Sequence, residues 1–367
     1  MRQLAAWLLR LRAHQPDLAR ENLFRMLVAG DQPPTLPPAM VAIEPLALAA
    51  NRPGDGGPFT TVLLRFLDLE EQSKNLETSC GVASELAAML CLTSGRRLEV
   101  APEIKVRMEG RDAVSFLGIS TTVDRTLTGP PRPDSGARFL DWLSRVPSLT
   151  SEDRNALGAA SQLHYGSVLL CHSDIRSAYV LLVGALEVLS RRYSTPASDW
   201  LSWEDHEEWE ALFEREAMAT QQRQAIRAQL LRNRHLRLKL TFRNYVVGSL
   251  PESFWDQPWQ EWMHSYDLLA GKWQSATKSA DLRIADLIPR ERTILSKALG
   301  RTYDLRSGLL HRGEDLKVFA TSIPSGFHLT GSAPVPYALL RSILAALIEH
   351  EFLRTSVPSP LPDIHYT

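Results

Sequence analysis

The stretch from Asp174 to Tyr193, DIRSAYVLLVGALEVLSRRY, constrains the fold more than any other part of the chain. Read as a helix it is apolar on nearly every face, so it has to be surrounded, and such a helix belongs in the middle of a bundle. It is no membrane span, because a span needs roughly 18 uninterrupted apolar residues and Glu187 interrupts this shorter run. The companions a bundle needs follow the same pattern. Thr150 opens a helix as a cap, with Glu152 and Asp153 in its first turn. Further helical patterns cover about Glu204–Ala219, Gln221–Val247, Trp255–Ala280, Pro289–His311 and Pro336–Leu353, with Pro289 and Pro336 read as first-turn prolines.

Ahead of the bundle the texture changes at GPPRPDSG, Gly129–Gly136, where glycines and prolines mark a boundary. The leading MRQLAAWLLRLR reads as an amphipathic helix, with the helical stretch running to about Ala29. It is not a signal peptide, because Arg10 and Arg12 break the apolar stretch and no cleavage site follows. Prolines between Asp31 and Pro58 mark connecting structure. TTVLLRF from Thr60 reads as a strand, Ser73–Leu92 as a helix, and RRLEV, EIKVRM and AVSFLGI as strands. The fold class is therefore mainly α. Residues 1–136 form a mixed α/β region without an assigned role, and residues 137–367 an all-α domain.

Composition excludes extremes. In 367 residues, 41 basic against 42 acidic side chains give a net charge of -1, which fits neither a wholly basic nucleic-acid coat nor an acidic disordered chain. Cys80, Cys91 and Cys171 are too few and scattered for a disulfide framework or a four-ligand zinc site; they read as small buried hydrophobes in a reducing cytoplasm. Phosphate-loop, dinucleotide, nucleophile-elbow and HExxH signatures are absent. His164, His172, His206, His264 and His350 show no metal-ligand spacing, so no metal or other cofactor is expected.

One motif stands out. Residues 303–313 read YDLRSGLLHRG, with Arg306 and His311 separated by four residues. This run resembles the Y-x-x-R-S signature with its following histidine in HEPN domains, particularly the Apea-like group. The apolar helix carrying Glu187 is similar to the first core helix of such domains. The resemblance covers about residues 150–355. Two departures from the pattern are Ser307, where many active members carry Asn, Asp or His, and Arg312, which separates His311 from the glycine. What the resemblance implies is a HEPN-like helical bundle forming a homodimer with a composite site, acting as a metal-independent endoribonuclease in antiphage defence or a toxin system. His311 would be the general acid/base, Arg306 the phosphate clamp, and Tyr303, Asp304, Ser307 and Glu187 supporting groups. RNA is the expected substrate, and an inhibitory or sensor partner is a further expectation.

The chemistry stands on its own terms. RNA carries its nucleophile, the 2′-hydroxyl, so a metal-free nuclease needs a proton carrier and a fixed cation. Histidine supplies the first near neutrality, and the arginine fork the second. On one helix, however, positions five apart lie about 140° from one another. Either the helix ends between Arg306 and His311, or two copies of the chain combine. The plainer reading is that Arg306 meets the helix dipole and His311 caps the end. Glu187 is a candidate buried partner for Arg306 or Arg176. A catalytically silent HEPN-like domain that binds RNA, a nucleotide or a protein is the alternative function.

A second signal is charge. From Ala217 to Pro251 the chain has no acid, while Arg223, Arg227 and Arg234 share a helical face that could follow an RNA backbone. The acidic segment Asp199–Glu216, with Trp200, Trp203 and Trp209, offers the competing reading: two antiparallel helices that neutralise one another around packed tryptophans.

Overall fold

The structure is a computed structural model that describes residues 1–13, 19–29, 34–36, 40–45, 59–69, 76–105, 124–194, 200–201, 206–232, 238–267, 269, 272–277, 281–312 and 323–362; among these it is mainly helical. Helix α1 (Arg2–Ala13) buries Leu4, Ala5, Trp7, Leu8 and Leu11, the three-and-four spacing of an amphipathic helix. The expected continuation to Ala29 is wrong, because Ala19–Ala29 form strand β1. There Phe24, Met26 and Val28 alternate into the core, and the strand is flanked on both sides by other strands. Long-range pairing overrides a local pattern that suits either structure.

Strands β2 (Val41–Pro45), β3 (Phe59–Leu69) and β4 (Leu98–Lys105) join it in an antiparallel sheet of order β2-β3-β1-β4. RRLEV and EIKVRM thus contribute to one strand, and AVSFLGI lies outside the described residues. Phe24 stacks on Phe66 with ring centroids 5.8 Å apart, and Trp7 closes on Phe66 edge-on while its Nε1 donates to the Leu67 carbonyl at 2.6 Å. Helix α2 (Leu76–Ser94) packs on α1 and β4.

The remaining helices are α3 (Ser135–Arg145), α4 (Ser151–Leu170), α5 (Ile175–Tyr193), α6 (His206–Arg215), α7 (Thr220–Arg232), α8 (Leu238–Ser249), α9 (Ile284–Leu287), α10 (Arg292–Arg312) and α11 (Tyr337–Thr355). The Thr150 hydroxyl accepts from the Asp153 amide at 3.1 Å and the Asp174 carboxylate from the Ser177 amide at 3.1 Å, so both expected starts are capped. Helix α5 packs against α4, α8, α10 and α11, which is where its all-round apolarity puts it. Among the residues it buries, Glu187 alone is charged.

The helix expected over Trp255–Ala280 is a second correction. That segment holds β5 (Pro258–Trp259), β6 (Trp262–Asp267) and β7 (Lys272–Thr277), with β8 (Leu282–Arg283) pairing back on β5. Pro258 lacks an amide for a helix, and Trp262, Tyr266, Trp273 and Thr277 belong to types that favour extended backbone. Residues 137–367 are therefore not all-α. The single helix read over Gln221–Val247 is α7 and α8, with 233–237 outside the described residues. Pro289 precedes α10, and Pro336 is the N-cap residue of α11 rather than its first turn.

One buried core runs through both sides of the 136/137 boundary, from Leu4 to Phe352. Polar ties cross it as well: the Tyr165 hydroxyl accepts from the Val100 amide at 3.3 Å, and Arg341 meets Asp124 at 2.5 Å with both side chains buried. Among the described residues no helix is long and apolar enough to cross a membrane.

Candidate active site

The motif falls on α10, where Thr302 is fully buried and its hydroxyl accepts from the Val335 amide at 2.9 Å. Tyr179 of α5 donates its hydroxyl hydrogen to the Val335 carbonyl at 2.9 Å. These bonds lock α10 against α5, and one turn further along Arg306 Nη2 meets Glu187 Oε2 at 3.5 Å. Of the two cations the sequence offered for Glu187, the structure selects Arg306.

This ion pair is long and incomplete. Glu187 is 10% exposed and Arg306 24%, yet Glu187 Oε1 and Arg306 Nε are buried without a hydrogen-bond partner among the described residues. At 3.5 Å the contact is a charge interaction rather than a good hydrogen bond. Tyr303 lies beside it, its ring 5.7 Å from that of Phe242 on α8. Burial and then the Glu187 charge push the Tyr303 phenol up, Arg306 and Arg191 oppose that rise, and a weaker hydrogen-bonding interaction with Glu187 adds to it. Asp304 is drawn to α8, where Lys239 Nζ reaches Oδ1 at 2.9 Å. Arg243 of α8 donates to Ser296 Oγ at 3.0 and 3.1 Å.

Helix α10 does not end between Arg306 and His311; it runs on to Arg312. The first way of bringing the two together is thereby removed, because on one unbroken helix their positions are about 140° apart. Arg306 stands on the side of α5, and the Asp304 side of the helix faces α8. The side chain of His311 lies outside the described residues, as does that of Arg312. Ser307 is half-buried on the same helix. The structure therefore brings Arg306, Glu187 and Tyr303 together and directs Asp304 to a lysine instead.

One arginine of the basic stripe is paired with the acidic segment, as the competing reading expects, and another bonds to backbone carbonyls. Arg227 of α7 forms an ion pair with Glu210 of α6 at 2.5 Å and lies over the rings of Trp200 and Phe213, at 5.6 and 5.8 Å. Arg223 donates to the carbonyls of Met218 and Phe213 at 2.9 and 3.2 Å, closing the end of α6. Arg234 lies outside the described residues.

Other reactive groups are buried away. Burial pushes the Cys91 thiol up to about 12 and Cys171 to about 11; Cys80 is only half-buried, short of the full burial expected of it. Burial, helped by the Arg341 charge, brings His164 down to about 3, and neither ring nitrogen has a hydrogen-bond partner among the described residues. Among those residues no three His, Cys, Asp or Glu side chains gather as a metal site would require. Sequence reasoning missed a cleft between α3, α11 and the segment leading into β6, lined by Arg132, Arg138 and Arg341. Arg132 sits inside GPPRPDSG, where the turn residues drew all the attention.

The chain matches no protein-family model, no curated protein and no solved structure.

Proposed function

We propose that the chain is a metal-independent endoribonuclease with a HEPN-like helical bundle, in which Arg306 clamps the scissile phosphate and His311 carries the proton. The observation that supports this reading most is the loose Arg306–Glu187 contact on adjacent core helices. A half-buried arginine held, among the described residues, by one long contact keeps most of its five N–H donors for another anion. Phosphate suits that fork.

Arg306 would hold two non-bridging oxygens while His311 takes the 2′-hydroxyl proton. The 2′-oxygen attacks phosphorus in line, the bond to the 5′-oxygen breaks as that oxygen takes the proton back from His311, and the products are a 2′,3′-cyclic phosphate and a 5′-hydroxyl. Tyr303 and Glu187 position Arg306; Asp304 and Ser307 are supporting groups on the same helix. Because α10 is continuous, His311 has to come from a second copy of the chain, and the enzyme works as a homodimer in the cytoplasm. Its setting is antiphage defence or a toxin system, with an inhibitory or sensor partner, and the mixed α/β region before residue 137 is where a sensor input would enter.

A catalytically silent RNA-, nucleotide- or protein-binding domain is the second reading, favoured by the Glu187 carboxylate already beside Arg306. Purified protein incubated with total RNA in excess EDTA decides between them. The enzyme yields fragments with cyclic-phosphate ends, and Arg306→Ala and His311→Ala each slow cutting by about 100-fold or more, the usual size of a lost acid/base or charge-stabilising group. Intact RNA of shifted mobility supports the binder. Cutting at the wild-type rate by both variants overturns the assignment.

A further inference from the structure

The cleft noted above has a volume of about 1040 Å³ and belongs to none of the chemistry on α10. Its walls mix apolar groups such as Leu127, Ala346 and Leu353 with Trp262, Gln257 and Arg132. The charges along it are mostly spoken for. Arg138 is paired with Glu349, Arg341 with Asp124, and Asp141 with Arg145.

Arg132 differs from those arginines. Among the described residues its side chain makes neither a hydrogen bond nor an ion pair, although its amide donates to the Ser94 carbonyl at 3.2 Å and so fixes the residue at the cleft. Its Nε lies 3.3 Å from where a Cβ at residue 95 would stand, and residue 95 is a glycine at φ +64°. Glycine there both permits the left-handed turn and leaves the guanidinium room. Solvent reaches Arg132, but protein packed around the guanidinium and the charge of Arg138 lower its pKa. Glu349 offsets this, Arg341 adds to it, and Asp134 offsets it again. A cation kept beside two other cations, with all its donors unspent, is an arrangement an anion would relieve.

From this juxtaposition we propose that the cleft binds a small amphipathic anion: one phosphate or carboxylate engaged by Arg132, carried on a planar aromatic body that lies along the apolar wall beside Trp262. The volume lies just above the roughly 300–1,000 Å³ of small-molecule sites, so such a ligand fits with space to spare. One anionic group, rather than several, fits best. Arg132 is the one arginine here without a counter-charge in contact, and Asp134 and Glu349 would repel a more highly charged ligand.

The test uses the whole chain and two anionic probes, adenosine 5′-monophosphate and 2-naphthoate, each beside its neutral counterpart, adenosine and 2-naphthol. Titration calorimetry reads affinity, and tryptophan fluorescence reads contact near Trp262. We expect at least one anionic probe to bind with a dissociation constant below about 1 mM, with its neutral counterpart at least tenfold weaker. Binding of the phosphate alone, or of the carboxylate alone, identifies the anion. Arg132→Ala should weaken the binding probe at least tenfold at unchanged melting temperature, while Arg301→Ala, an exposed arginine on α10, leaves it unaltered. Arg132→Lys, which keeps the charge but not the fork, should recover part of the loss. Absence of binding by both anions, equal binding of the neutral counterparts, or full binding by Arg132→Ala overturns the proposal. Should RNA cleavage fail while an anion binds, the cleft stands without the nuclease.

Discussion

Of the glutamate–arginine pairs that join helices among the described residues, Glu210–Arg227 and Glu187–Arg306 are built differently. Glu210 on α6 accepts from Arg227 at Oε2 and from the Trp200 indole at Oε1, 2.6 Å away, so both oxygens are used. Arg227, whose Nε likewise has no hydrogen-bond partner among the described residues, lies beside the stacked rings of Trp200 and Phe213. Glu187 on α5 is more deeply buried, touches Arg306 at 3.5 Å, and leaves one oxygen without a hydrogen-bond partner among the described residues. The α6–α7 pair is a fastener for a small satellite core of Trp200 and Phe213. The α5–α10 pair sits on the main core with bonding capacity left over. Residue types alone do not separate a structural pair from a poised one; saturation does.

The largest effect expected from this contrast lies in the cores themselves. Leu186 is fully buried on α5, and Leu186→Ala should cost about 2–5 kcal/mol of global stability, as large-to-small changes in a close-packed core do. Phe213 is equally buried, yet it belongs to the satellite cluster. Phe213→Ala should abolish hydrogen-exchange protection in α6 and α7 while the cooperative unfolding of the rest, followed by circular dichroism, shifts far less. Equal global losses from both variants would make the hairpin part of the main folding unit and remove the contrast.

Acid should separate the two regions next. His164 is neutral in the fold because burial lowers its pKa to about 3; the unfolded chain takes up that proton below the ordinary value of 6.5. Stability contributed by a depressed histidine is present above 6.5 and is lost as pH falls from there toward 3, by up to about 1.4 kcal/mol per pH unit. His172, depressed by its burial, acts in the same direction. Glu210 titrates lower: its hydrogen bond from Arg227 holds the carboxyl below the usual range, and its contribution is lost only as pH falls through that lowered value. Between about pH 6 and 5 the bundle should weaken in denaturant titrations while α6 and α7 lose nothing through Glu210. His164→Leu should flatten that slope; an unaltered slope would exclude His164 as its source.

These contrasts also explain what could be read from the sequence. The apolar run around Leu182 and Leu186 announces a central helix because local composition and burial agree there. Ala19–Ala29 and Trp262–Thr277 mislead because their extended form depends on partner strands, and pairing is not local information. The α10 motif was legible as residue types at a spacing. Its pairing with Glu187 was legible only as one of two options, since an ion pair across 119 residues depends on how two helices pack. The Arg132 cleft was not legible at all: Asp124, Arg132, Arg341 and Glu349 meet only in the folded chain.

The smallest expected change is the most discriminating. Glutamine in place of glutamate keeps the shape and removes the charge. At Glu210 the indole and guanidinium would still find an amide oxygen, so Glu210→Gln should leave the hairpin's melting curve almost unmoved, as the loss of one solvent-screened pair does, and leave RNA cleavage unchanged. At Glu187 the charge restrains Arg306 through one long contact, and the desolvation of a buried carboxylate offsets much of what that contact contributes. Glu187→Gln should therefore alter stability little, within about 1 kcal/mol, yet release Arg306 toward phosphate. RNA affinity should rise, by no more than about threefold, since one charge is removed near a half-buried cation rather than a new contact made. Filter binding of RNA at two salt concentrations, run alongside both variants' melting curves, reads these quantities together. If Glu187→Gln weakens RNA binding as Arg306→Ala does, the carboxylate is not a restraint but an essential brace for the arginine, and the two pairs differ in degree rather than in kind.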